Sequence, residues 1–184
     1  MSRTLIFLII ISYCSQLSGQ ETLPLRLSYF SPFGVNRGIK VGVVLPFDFK
    51  NNKSNQILDE WNVVPHIAYF VLPDIQNNLL TTIGVEYGNA KKGKGFYTLY
   101  SIELGYLLSF KKYGGIVQLE SGNIQNNIRL QHSFLPEITV GLGYKLINGN
   151  GLFMKLFYGR QLSIKESDAS FLGAEIGIQI HIKR

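Results

Sequence analysis

The stretch from Ser170 to Lys183 limits this chain to very few folds. Its even positions are Leu172, Ala174, Ile176, Ile178, Ile180 and Ile182; its odd positions are Phe171, Gly173, Glu175, Gly177, Gln179, His181 and Lys183. Successive side chains of a strand point to opposite faces, so this is a strand with one apolar face and one small-or-polar face. The apolar face carries no charge over about ten residues, the length with which a tilted strand crosses a bilayer. It reads as a lipid-facing strand of a closed membrane barrel.

Seven earlier segments alternate in the same way. They are Gly38–Phe49, Trp61–Leu72, Leu79–Asn89, Phe96–Phe110, Tyr113–Gly122, His132–Leu146 and Gly151–Ile164. Alternating segments of about ten residues separated by turn residues are the sequence pattern of a transmembrane barrel. The fold class predicted is therefore all-β, an antiparallel up-and-down transmembrane β-barrel of eight strands over residues 36–184. The longest connections, Lys50–Glu60 and Asn123–Gln131, are expected outside, and short ones such as Lys111-Lys112 inside. In that orientation Pro46, Pro65 and Pro136 fall at the outer strand ends, where a residue with no N–H is tolerated. Residues 20–35 would make an odd ninth strand, so they are read as a periplasmic N-terminal lead or a short extra strand.

Residues 1–19 have the layout of a signal peptide: Arg3, the apolar run Leu5 to Ile11, and a small-polar stretch ending at Gly19. The one cysteine, Cys14, lies inside it, which leaves the exported chain no disulfide, thiolate nucleophile or cysteine-bound metal. Charged residues make up 16% of the sequence, below the roughly 25% of soluble domains. The net charge of +6 is spread too thinly for nucleic acid, since no Lys/Arg run exceeds two.

A soluble β-barrel binding module also alternates, but its solvated face is rich in charge. Here the polar face holds Gly84, Gly88, Gly105, Gly141, Gly143, Gly173 and Gly177, which suits a crowded narrow lumen. Trp61, Phe96, Phe110, Tyr113, Phe134 and Tyr144 stand at segment ends like interfacial girdles. In this pattern the chain resembles the small eight-stranded outer-membrane barrels of the OmpA/OmpX kind. It departs from them at Ile182-Lys183-Arg184, where such proteins usually end on an aromatic residue. The resemblance implies the outer membrane of a Gram-negative bacterium and contact with outer-membrane lipid.

Glu86, Glu103, Glu120 and Glu137 recur every seventeen residues on the polar face. With Glu175, Lys40 and Lys155 they are expected to form a lumen ion-pair network, because buried charges must be paired. That network either fills and registers the barrel or lines a narrow cation path. Five carboxylates against two lysines leaves it unbalanced. Lys91, Lys92 and Lys94, with Arg160, are expected at the outer rim as contacts for lipopolysaccharide phosphates. His66 and His181 face inward by parity, with no cluster of ligands for a metal. His132, Ser133 and Glu137 raise an outer-membrane lipid hydrolase, but adjacent strand residues point to opposite faces. The expectation is a structural or surface-interaction barrel with a filled polar lumen, no catalysis and no cofactor. A surface ligand or protein partner would meet the outer loops.

Overall fold

The computed structural model describes residues 22–32, 36–47, 57–72, 76–91, 95–112, 128–146, 150–163 and 168–183. Nearly all of them are strand: β1 (Thr22–Pro32), β2 (Arg37–Val43), β3 (Leu45–Phe47), β4 (Ile57–Leu72), β5 (Gln76–Lys91), β6 (Gly95–Lys112), β7 (Ile128–Lys145), β8 (Gly151–Ser163) and β9 (Ala169–Lys183). All pairings are antiparallel, in the order β2-β1-β9-β8-β7-β6-β5-β4-β3, and β2 also pairs with β4, so the sheet closes on itself. β2 and β3 meet β4 in one continuous register, with Gly42 opposite His66 and Leu45 opposite Val63, and together form one stave. The ladder to β4 is interrupted at Val43 and Val44, which this register sets opposite Pro65 and Val64, and Pro65 has no N–H to give. The Val44 N–H donates instead to the Pro24 carbonyl at 3.0 Å. The fold is a closed barrel of eight antiparallel staves, in agreement with the sequence expectation. Closure lets backbone groups of the described strands pair within the sheet, which lipid demands of a spanning sheet.

The strand count reaches eight by a different route from the one predicted. Residues 22–32 are a full stave and not a lead: β1 pairs with β9 from Thr22–Lys183 to Pro32–Gly173, and with β2 from Leu25–Val43 to Phe30–Gly38. The predicted strand Tyr113–Gly122 lies outside the described residues. β6 and β7 pair directly from Gly95–Lys145 to Lys112–Ile128, so no stave stands between them, and Lys111-Lys112 ends β6 instead of turning.

One stave gained before Gly38 exchanges the two ends of the barrel. Strand ends Phe47 and Ile57, Lys91 and Gly95, and Lys145 and Gly151 lie at the end that holds Thr22 and Lys183, called here the terminal end. Pro32 and Arg37, Leu72 and Gln76, Lys112 and Ile128, and Ser163 and Ala169 lie at the far end. Of the loop Lys50–Glu60, predicted outside, residues 57–60 belong to β4 at the terminal end; of Asn123–Gln131, also predicted outside, residues 128–131 belong to β7 at the far end, and the rest of both lies outside the described residues. Pro65 and Pro136 also differ from expectation, because both sit mid-strand. At Pro136 the β7–β8 ladder jumps from Phe134–Leu162 to Glu137–Gly159, so the missing N–H falls in a gap.

The outward face is apolar all round. Ile39, Ile67, Ile102, Ile138 and Leu172, from five different staves, are each 58–66% exposed. A soluble monomer rarely exposes more than a few hundred Å² of contiguous apolar surface, so this belt faces lipid. Aromatic rings border it at both ends. Near the terminal end Trp61 packs on Tyr87 at 5.1 Å and Phe96 on Tyr144 at 5.0 Å. Tyr69, Tyr106, Phe110 and Phe134 are exposed toward the far end, giving the two girdles of a membrane barrel.

Candidate functional site

Inward positions form the lumen, and they are sorted by height. Mid-barrel they are charged. Arg26 donates two hydrogen bonds to Glu86, Nη1 to Oε2 and Nη2 to Oε1, both 2.7 Å, and Lys155 Nζ donates to the same Oε2 at 2.7 Å. Lys40 Nζ reaches Glu103 at 3.2 Å and Glu175 at 3.3 Å. Hydroxyls complete the carboxylates: Ser28 donates to Glu175 at 2.7 Å, and Thr82 and Ser101 to Glu103 at 3.0 and 3.2 Å. His66 Nδ1 lies 3.5 Å from Glu103. None of these charged groups is more than 3% exposed. Pairing and hydroxyl donors offset a desolvation that would otherwise cost several kcal/mol per ion.

The structure therefore brings Lys40, Glu103 and Glu175 into one cluster and Lys155 and Glu86 into another. Glu137 stands directly across from Glu103 on the neighbouring strand, buried, with neither carboxyl oxygen hydrogen-bonded. Glu120 lies outside the described residues. Arg26 is the group that sequence reasoning missed, and it narrows the imbalance that Lys40 and Lys155 left. Its signal was parity: it shares the inward face of β1 with Ser28 and Phe30.

Glycines make room for these long side chains. A Cβ at Gly84 would lie 2.6 Å from Glu103 Cγ, and one at Gly42 would lie 2.0 Å from the His66 ring. The polar face thus holds small residues where a large inward side chain crosses from the next stave.

Toward the far end the lumen is apolar. Phe30, Phe70, Leu80, Leu107 and Leu135 are 0% exposed and pack with Phe157 and Phe171. Phe30 stacks on Phe157 at 4.8 Å and meets Phe70 edge-on at 5.7 Å. This plug corrects the expected polar lumen: it is filled, but only partly polar. The terminal mouth keeps a pocket of about 40 Å³ lined by Arg26, Glu86, Tyr97 and Gln179, with Lys145 and Glu60 paired at 3.6 Å beside it.

The predicted lipopolysaccharide contacts do not share a rim. Lys91 ends β5 at the terminal end, whereas Arg160 faces outward in the far half and pairs with Asp168 at 3.1 Å. Lys92 and Lys94 lie outside the described residues. The cause is the added stave, which moves the β5–β6 connection to the terminal end.

No hydrolase dyad forms at His132 and Ser133. His132 faces outward with Nδ1 against the Tyr106 hydroxyl at 2.5 Å, while Ser133 faces inward and accepts from Gln161 Nε2 at 2.9 Å. Glu137 is inward too. Among the described residues no group of three potential metal ligands converges. His66 bonds Thr82 at 3.3 Å, and the His181 backbone N–H donates to Asn150 at 2.9 Å.

No family model matches this sequence, and no curated protein does. Among solved structures the chain is similar to the outer-membrane enzyme PagL, with a TM-score of 0.54 and 12% identity over 86% of this chain and 99% of that one. The fold is that of a small outer-membrane barrel. The chain is also similar to Ail, the attachment invasion locus protein of Yersinia pestis, with a TM-score of 0.39 and 13% identity over 88% of this chain and 97% of that one.

Proposed function

We propose that the protein is a non-catalytic barrel of the outer membrane of a Gram-negative bacterium, exported by residues 1–19, with a structural and surface-interaction role. The observation that carries this reading is the plug. Five side chains with no exposed surface fill the far half of the lumen, and they stand in series with the ion layer. Water and ions entering from the terminal mouth meet a wall of Phe and Leu. The ion layer fills and registers the barrel in this reading, and it has no through-path for conduction.

The far end is the outward one. It carries the longest connection, 113–127, and outer-membrane barrels place their longer loops outside. Arg37, Lys111, Lys112, Arg129 and Arg160 are found there among the described residues, with Arg160 paired to Asp168. A rim with several cations suits the phosphates of lipopolysaccharide. The loops at this end would present the surface to a ligand or protein partner.

Planar-bilayer recording of the purified protein tests the reading. The expected result is silence; steady conductance steps would establish the channel alternative. A lipid hydrolase would reveal itself by altered lipid A on overexpression, and the expected lipid A is unchanged.

A further inference from the structure

A furrow of about 670 Å³ runs across the outward face, against about 230 Å³ for another beside Leu156 and Leu172. Its lower wall is one register row: Phe96, Tyr144, Leu152, Ile178 and Leu27. Its upper wall is the next outward row toward the far end, from Leu142 on β7 through Met154 and Ile176 to Tyr29 and Ile39. Between the walls lie inward-facing positions, among them Gly143 and Gly177, so the floor is backbone. No charged side chain is among the described residues that line it.

The furrow climbs as it crosses the staves. Followed around the barrel, the row that joins Leu152 to Ile178 and Ile178 to Leu27 passes Val41, Thr81 and Phe134 and returns to β8 at Leu162, nearer the far end. The furrow therefore starts at the terminal girdle, where Phe96 is 77% exposed, and rises toward mid-membrane at β2. From β6 to β2 it crosses five strand spacings of about 4.8 Å, or about 24 Å, and a strand tilt of about 40° turns that into a climb of about 15 Å. Half of a hydrocarbon core about 30 Å thick is the same depth, one leaflet. The walls stand two residues apart on each strand, about 7 Å, which admits one hydrocarbon chain and not a helix about 10 Å across.

We propose that this furrow binds one acyl chain of a phospholipid from the leaflet at the terminal end. Continuity with the lipid-facing belt supplies the class of ligand, and a climb of one leaflet from the girdle sets its headgroup beside Phe96 and Tyr144. The choice of phospholipid rests on the proposed orientation, because lipopolysaccharide fills the outward leaflet of an outer membrane and phospholipid the inward one.

The test is native mass spectrometry of the full exported chain, stripped of lipid in detergent and mixed with equal amounts of palmitoyl-oleoyl phosphatidylethanolamine and lipid A. One phosphatidylethanolamine per barrel is expected to be retained. Its affinity should fall about tenfold in the double variant Met154→Trp with Ile176→Trp, whose indoles fill the furrow, and stay unchanged in Ile102→Trp, elsewhere on the belt. Gel mobility, boiled against unboiled, checks that each variant is folded, and Leu142→Trp stands in where the double variant is not. Three results would overturn the proposal and leave the orientation untouched: no retained lipid, equal retention in the filled and control variants, or a dimer of barrels that excludes lipid. Preferred retention of lipid A, lost in the filled variant, would overturn the choice of phospholipid and the orientation with it. Conductance in planar bilayers bears on neither.

Discussion

The charged and apolar halves of the lumen fill one narrow space by opposite chemistry. In the charged half, Arg26, Glu86 and Lys155 hold one another at 2.7 Å, and Lys40 joins Glu103 to Glu175. Each member has value only while its partners are present. In the far half, Phe30, Phe70, Phe157 and Phe171 pack ring to ring, and each contributes nearly on its own. Ion pairs fix which stave faces which; apolar packing seals.

The largest expected effect is Glu86→Ala, which leaves two buried cations without their anion. It should cost about 3–5 kcal/mol in urea unfolding of the barrel refolded into lipid vesicles. Replacing Arg26, Glu86 and Lys155 together by apolar side chains of similar volume should cost less than that single change. If the triple replacement costs more, the charged half stabilises the barrel outright and the contrast between halves fails.

Leu107→Ala opens a cavity in the plug and should cost about 2–5 kcal/mol in the same assay. Combined with Glu86→Ala, its effect should add, because the two sites share no partner. Strong non-additivity would mean that the halves are one cooperative unit.

Two carboxylates one strand apart sharpen the comparison further. Glu103→Gln weakens contacts with Lys40, Thr82 and Ser101 and should cost about 1–3 kcal/mol. Glu137→Gln removes a carboxylate that makes no hydrogen bond and should be neutral or stabilising by comparison. Equal losses at the two positions would mean that Glu137 has a partner in the folded barrel. Outside the lumen, Trp61→Ala loses one girdle contact, with Tyr87, and should cost about 0.5–1.5 kcal/mol beyond the lost burial.

The outward face was legible in the sequence because period two needs no tertiary information. Leu172, Ile176 and Ile178 are exposed on β9 as their alternation requires. β1 was not legible for two reasons. Pro24 and Pro32 bracket it, and its inward set mixes Arg26 and Ser28 with Phe30, which blurs the alternation that Leu27 and Tyr29 maintain on the other face. Missing that stave hid Arg26 from the charge count and exchanged the barrel ends, which carried Lys91 to the wrong rim. The plug was obscured for a different reason. Phe157 and Phe171 share their inward parity with Lys155 and Glu175 on the same strands, so each inward face is apolar at one height and charged at another. Parity assigns a face, but height comes only from register.

The measurement that bears most directly on a closed, membrane-embedded barrel is gel mobility of the protein extracted from fractionated outer membranes, boiled against unboiled. Among the described residues the ladder closes from β2 through β1 and β9 round to β4, so unboiled detergent should leave it folded. The account predicts recovery in that fraction and a clear shift in mobility on boiling. Recovery in the soluble periplasm with no shift would contradict it, and would turn the apolar belt into a surface in need of another cover.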